Sequence, residues 1–175
     1  MNDRDMLHHL SAAGPHAESS DELMLFGRLV GSWDLTMTAF DLDGSSREFV
    51  GEWHFAWALQ GRSVQDVLIT RSIDGEVVGY GSTIRTLDRQ RGLWWVVWQD
   101  PLAGEFSVLL ARAEGDRIVL DGQWTIGDDG REFRWAFSDI TADSFRWQAH
   151  ISEDGGTTWR LVEEMQARRR NGKRT

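Results

Sequence analysis

Cysteine is absent from the 175 residues, which excludes disulfides, thiolate nucleophiles and cysteine-ligated metal sites. Proline is nearly absent. Pro15 and Pro101 both fall at breaks, so the segments between them are free to run as strands. No apolar leader-like stretch follows Met1, and no run of about 18 apolar residues occurs, so the expectation is a soluble cytoplasmic protein that does not enter a membrane. Positive charge is short as well. A net charge of −9 argues against nucleic acid, which is bound by neutralising phosphates. The basic stretch from Arg168 to Arg174 reads as a solvated terminus. No His/Asp/Glu cluster has metal-ligand spacing, and His8, His9 and His16 read as solvated side chains on an arm. No Gly-rich loop precedes a helix and no Ser sits in a nucleophile elbow, so no metal and no cofactor is expected.

What the chain has in excess is tryptophan, ten in all, and rings of that size need a dry home. The residues from Gly51 to Leu68 show where. Trp53, Phe55 and Trp57 alternate along one strand, Gln60-Gly61 marks a turn, and a second strand follows. Pairing across that turn sets Trp57 against Val64, Phe55 against Asp66 and Trp53 against Leu68. One face is then apolar apart from Asp66, and it is read as the interior of a barrel.

Three segments follow from the order of the chain: an arm over 1–18, a domain over 19–170 and a basic tail over 171–175. Ser19 and Glu22 have the spacing of a capping box, and Leu23, Phe26, Leu29 and Val30 fall at helical intervals before Gly31. That predicts a short helix near 20–30 with one apolar stripe on the barrel, closing an end. Beyond it Trp33, Leu35, Met37 and Ala39 alternate with polar residues, and nine turns rich in Gly, Asp or Ser separate ten short strands. The fold class expected is all-β: an antiparallel up-and-down barrel of about ten strands with a short N-terminal helix, closed because an open sheet would expose its edges. Pairing across 139–143 predicts Trp135 opposite Trp147, and pairing across 153–156 predicts Trp147 beside Glu163, with Arg146 and Glu164 on the wet face. The strand from Leu93 to Trp98 is apolar on both faces. Its outside is expected to be covered by the helix at 20–30 or by a second subunit in a homodimer.

The candidate site is the inner face. Asp66, among rings, is the first candidate for acid–base chemistry. Tyr80 is read as inward with Val78, Ser82 and Ile84, where it can orient a ligand oxygen or donate a proton. Trp53, Phe55, Trp57, Leu68, Ser82, Trp98, Trp124, Trp135 and Trp147 are the candidate ligand-binding residues, the indoles suited to a flat molecule. Glu163 is either a second cavity carboxylate or, near the rim, a solvated one. His54 and His150 point outward, which removes the axial ligand a haem-binding barrel needs.

The helical turn leading to Gly31-Ser32-Trp33 resembles the first strand of lipocalin-like (calycin) barrels, in which the Trp plugs the closed end. Gly51 to Phe55, Gly61 to Asp66, Tyr80 to Thr83, Phe137 to Thr141 with Phe145 to Trp147, and above all Ser152 to Trp159 resemble the bacterial DUF1579-type lipocalin-like family over about residues 23–170. The resemblance implies a fold and a habit of binding small apolar molecules; some such barrels are cofactor-free enzymes on polyketide- or terpene-like substrates. Three function readings therefore stand side by side. One is a carrier or sensor of a small hydrophobic, cyclic or aromatic molecule. Another is a cofactor-independent isomerase or cyclase using Asp66 and Tyr80. A structural module with its interior filled by side chains is the third.

Overall fold

A computed structural model describes residues 3–125 and 131–170, with side chains for 5–122 and 131–170. Ten strands form one closed antiparallel barrel: β2 (Gly31–Phe40), β3 (Ser46–Ala58), β4 (Ser63–Ser72), β5 (Val77–Asp88), β6 (Leu93–Asp100), β7 (Glu105–Glu114), β8 (Arg117–Thr125), β9 (Glu132–Ser138), β10 (Ser144–Ser152) and β11 (Arg160–Arg169). Each pairs with the next, and β11 pairs back to β2, so no barrel strand is left with a free edge. The arm carries α1 (Asp3–Leu10) and β1 (Ser11–Ala12), which takes up the ladder of β3 at Trp57 and Ala58, beyond the start of β2.

The β3–β4 hairpin has the register its sequence dictates: Trp57–Val64, Phe55–Asp66 and Trp53–Leu68. The later hairpins are offset by two residues from the expected pairing. Trp147 lies opposite Phe137 and Met165, and Ala149 opposite Trp135 and Glu163, with a bulge between Ala149 and His150. A shift of two keeps every side chain on its face, so Trp135 and Trp147 stay inside and Arg146 still reaches Glu164 outside.

The second helix, α2 (Ser20–Gly27), begins one residue after a short 3₁₀ turn, and Ser19 makes no side-chain cap, so the capping box does not form. Its apolar stripe closes one end of the barrel. Leu23, Phe26 and Leu29 are buried, and Phe26 stands edge-on to Trp94 (5.0 Å) and Phe137 (6.2 Å) inside. Gly27 is required here because any side chain would collide with the Trp57 indole. Trp33 completes the plug, donating from Nε1 to the Leu29 carbonyl (2.8 Å) beneath the Arg169 guanidinium (4.0 Å from the ring centre). Arg169 and Arg170 are thus structural: Arg169 bonds the Val30 carbonyl, and Arg170 pairs with Asp34 and Glu52.

Because α2 covers the end of the barrel, it does not cover the outside of β6. There Trp95 is 41% exposed, its Nε1 donating to Asp88 (3.4 Å). The core fills the plugged half, where Phe26, Trp33, Trp94, Phe137 and Phe145 are buried.

Candidate functional site

Above that core the barrel is hollow. An outer chamber of about 420 Å³ is lined by residues such as Met37, Phe49, Thr70, Trp98, Glu105 and Glu163. An inner chamber of about 190 Å³ lies between Trp53, Trp98, Trp135 and Trp147, with Thr83 and Arg85 in its wall. Leu68, Trp98, Glu105, Glu163 and Met165 line both, so the two form one cavity. The indoles meet edge to face: Trp98–Trp135 at 6.3 Å, Trp135–Trp147 at 5.5 Å and Trp53–Trp147 at 6.2 Å. Interlocked in this way, the rings hold the space open instead of collapsing into it.

Of the residues expected here, Trp53, Leu68, Trp98, Trp135, Trp147 and Glu163 line the cavity. Phe55 and Trp57 do not. Both belong to the plugged half, Phe55 against Trp53 and Phe145, Trp57 against Gly27. The Trp124 side chain lies outside the described residues.

Tyr80 and Ser82 are on the opposite face from the one expected. Tyr80 is 47% exposed on the outside of β5, next to Ile69 on β4; it reaches the outer chamber as one of its lining residues, and its backbone N–H donates to Asp100 (3.3 Å). Ser82 Oγ donates to the Asp66 carbonyl (2.7 Å) and accepts from Gln65 Nε2 (3.2 Å) on the outer face. The inner face of β5 is Gly79, Gly81, Thr83 and Arg85. It contains no large apolar residue because the Trp98 ring lies where a side chain of residue 81 would be.

Asp66 points inward, but it is not a lone carboxylate. It sits beneath the inner chamber, with Oδ2 2.6 Å from Arg85 Nη1, Oδ1 accepting from the Thr83 N–H (2.9 Å), and both residues only 1% exposed. The Arg85 guanidinium lies 5.2 Å from the ring centres of Phe26 and of Phe55. The 2.6 Å contact joins the charges, yet neither Nη1 nor Nε donates along a hydrogen-bond direction, and Oδ2 accepts none. We take the contact as an ion pair matched in charge and incomplete in hydrogen bonds. Trp53 Nε1, also buried, has no partner either.

Glu163 is the carboxyl of the cavity wall whose titration is shifted most plainly. Burial in the barrel raises its pKa from 4.5 to about 7, and the nearby carboxylate of Glu105 adds to the rise. It lines both chambers and keeps part of its surface exposed. Asp100, at the outer chamber, is fully used by backbone: Oδ1 accepts from Leu102 and Ala103, and Oδ2 from Tyr80. Arg47 is held by Asp41. His54 is outside, bonded to Ser32 and Glu52, and His150 is half-buried away from the cavity, where burial, helped by the charges of Arg117, Arg134 and Arg146, lowers its pKa. Among the described residues no group of three His, Asp or Glu side chains could hold a metal ion.

No family model and no curated protein matches the chain, so the DUF1579-type resemblance rests on its motifs alone. Solved structures do match. Rv2717c from M. tuberculosis superposes with a TM-score of 0.63 at 18% identity over 86% of this chain and 98% of its own. The S-type phycobiliprotein lyase CPES from Guillardia theta gives 0.63 at 15% identity over 91% and 100%. The fold is a lipocalin-like barrel. In that fold the distinctive stretch from Ser152 to Trp159 is the β10–β11 turn. Asp154 accepts there from the backbone of Thr157 (3.0 Å) and Thr158 (2.8 Å), which pulls its pKa down to about 2. Its role is to fold a hairpin. Among the described residues no helix is long and apolar enough to cross a membrane.

Proposed function

We propose that the barrel binds a small hydrophobic molecule, cyclic or aromatic, as a cytoplasmic carrier or sensor. The observation that supports this is the cavity walled by Trp53, Trp98, Trp135 and Trp147, in a barrel whose other end is plugged. Its outer chamber is of the size that takes small ligands. A module with its interior filled by side chains would have no such space. That a barrel of similar fold is a phycobiliprotein lyase agrees with the reading, as do the motifs shared with DUF1579-type barrels. Native mass spectrometry of freshly purified protein is the test. A co-purified small molecule that Trp147→Ala releases is the expected result. No co-purified mass, together with no calorimetric response to a flat probe such as 1-naphthylmethanol, overturns the reading.

The isomerase or cyclase reading loses its acid–base pair, since Asp66 is ion-paired below the cavity and Tyr80 is outside. It now rests on Glu163, whose carboxyl titrates near neutrality in contact with the chambers. Its mark would be a Glu163→Gln variant that binds substrate and does not turn it over.

The open face of β6 around Trp95 supports the homodimer reading. Sedimentation at micromolar concentration should show a dimer that Trp95→Asp returns to a monomer. A monomeric wild-type protein removes the proposal.

A further inference from the structure

The charges around the cavity are unevenly matched. Two cations border it, and both are engaged: Arg85 by Asp66 on β4, and Arg47 by Asp41. Of the anions, Asp100 is consumed by three backbone N–H groups. Glu163 on β11 and Glu105 at the start of β7 are different. Among the described residues neither side chain makes a hydrogen bond or an ion pair, and what acts on the Glu163 carboxyl is burial and the charge of Glu105. Its strand neighbours are Ala39 on β2 and Ala149 on β10, which offer it no polar side chain. Glu163 is thus a part-buried carboxyl with no partner in the structure, lining both chambers beside the indoles.

A carboxyl withdrawn in part from water and given no partner is destabilised, and such groups in native proteins call for an explanation. An anion entering the cavity would find no free cation, because Arg85 is already charge-matched. A cation would find two carboxylates without a counter-charge, Glu163 part-buried and Glu105 exposed, and several indoles, surroundings that attract an ammonium group.

We infer that the ligand is an organic cation: a flat apolar body carrying a protonated amine, its ammonium against Glu163 and Glu105 and its body between Trp98, Trp135 and Trp147. This rests on the small-molecule reading above and narrows it to one chemical class. Glu163 must be ionised to hold the ammonium. Binding therefore strengthens as the pH rises through the range in which the carboxyl loses its proton, and around neutrality it releases a proton to the buffer.

Calorimetry with three matched probes tests it: 1-naphthylmethylamine, 1-naphthylmethanol and 1-naphthoate. At about pH 8 the amine should bind roughly tenfold or more tightly than the alcohol, as expected for a charge-assisted contact. The advantage should shrink at about pH 5.5, where the amine is still charged and Glu163 is not, and Glu163→Gln should abolish it while leaving the alcohol's affinity in place. The wild-type pH comparison carries the test even if that variant folds poorly. Equal binding of amine and alcohol overturns the cation inference and leaves the cavity reading standing, as does preference for the naphthoate, which would point to Arg85. If none of the three binds, both fall.

Discussion

Asp66 and Arg85 are two opposite charges with almost no access to water, and each is what makes the other tolerable. Removing one partner of such a pair strands the other, at a cost of about 3–5 kcal/mol, whereas replacing both by apolar groups of like volume is often neutral. Urea denaturation of Asp66→Asn and Arg85→Met should each show a loss of that order, and Asp66→Leu combined with Arg85→Met a loss well below their sum. Equal, additive losses would mean the two charges do not act as a pair. Glu163 gives the opposite kind of effect. Its folded pKa, about 7, lies above the ordinary 4.5, so between those values the folded state keeps a proton that the unfolded state gives up. Stability from this group is full below about 4.5 and is lost as the pH rises through 7. Glu163→Gln should therefore raise the unfolding free energy at pH 8 relative to wild type, by on the order of 1–3 kcal/mol, and with it the melting temperature, and change little at about pH 4. At this scale the sequence was half legible. Asp66 is recognisable as an anomaly from its aromatic neighbours. Arg85 is not, because an arginine inside a barrel contradicts every expectation from hydropathy. The clue was available in the anomaly itself, since a carboxylate read as buried demands a cation, and Arg85 sits on the next strand one step diagonal to it.

Among the elements, β5 shows why alternation fails where it does. Val78, Tyr80, Ser82 and Ile84 make the more apolar face, and in most barrels that face would be inside. Here the inside is already occupied by a ring from β6, and glycine is what lets it lie there. Gly81→Val should drive the Trp98 indole from a place where it lines both chambers. We expect a loss of about 1–3 kcal/mol from overpacking and, for a cavity-bound probe such as 1-naphthylmethanol, a fall in affinity large beside that loss. Unchanged affinity would show that Trp98 has room to move elsewhere. The β3–β4 hairpin is the contrasting case. Its Gln60-Gly61 turn leaves one register that keeps four large apolar residues on one face, and that register is the one found. The last two hairpins have longer turns, which fix only the parity of the pairing, and a bulge after Ala149 that nothing in the local sequence announces. Helix α2 was visible from its spacing, and its apolar stripe closes an end of the barrel as that spacing suggested.

At the scale of the molecule, the ten-strand count and the closure were readable because each turn is marked and each strand is short. The cavity was expected but not fixed, since whether inward indoles fill a barrel or line it depends on angles between rings. Closure itself has a kinetic side. The contacts between neighbouring strands are local hairpins, but the seam joins Trp33 to Arg169 and Ala39 to Glu163, residues from opposite ends of the domain. Loop-closure entropy makes such a contact expensive until the rest of the sheet is in place. The ring should therefore close last, after the folding transition state. Substitutions that weaken the seam, such as Ala167→Gly, are expected to steepen escape from the native state, raising the unfolding rate while leaving the folding rate nearly unchanged. Substitutions in the β3–β4 hairpin, such as Val64→Ala, should slow folding instead. Stopped-flow measurements in urea separate the two arms. A seam substitution that slowed folding would mean that the ring is drawn together early. On the expected order, the lifetime of the closed barrel, and with it the residence of anything enclosed, is governed by the one pair of strands that forms last.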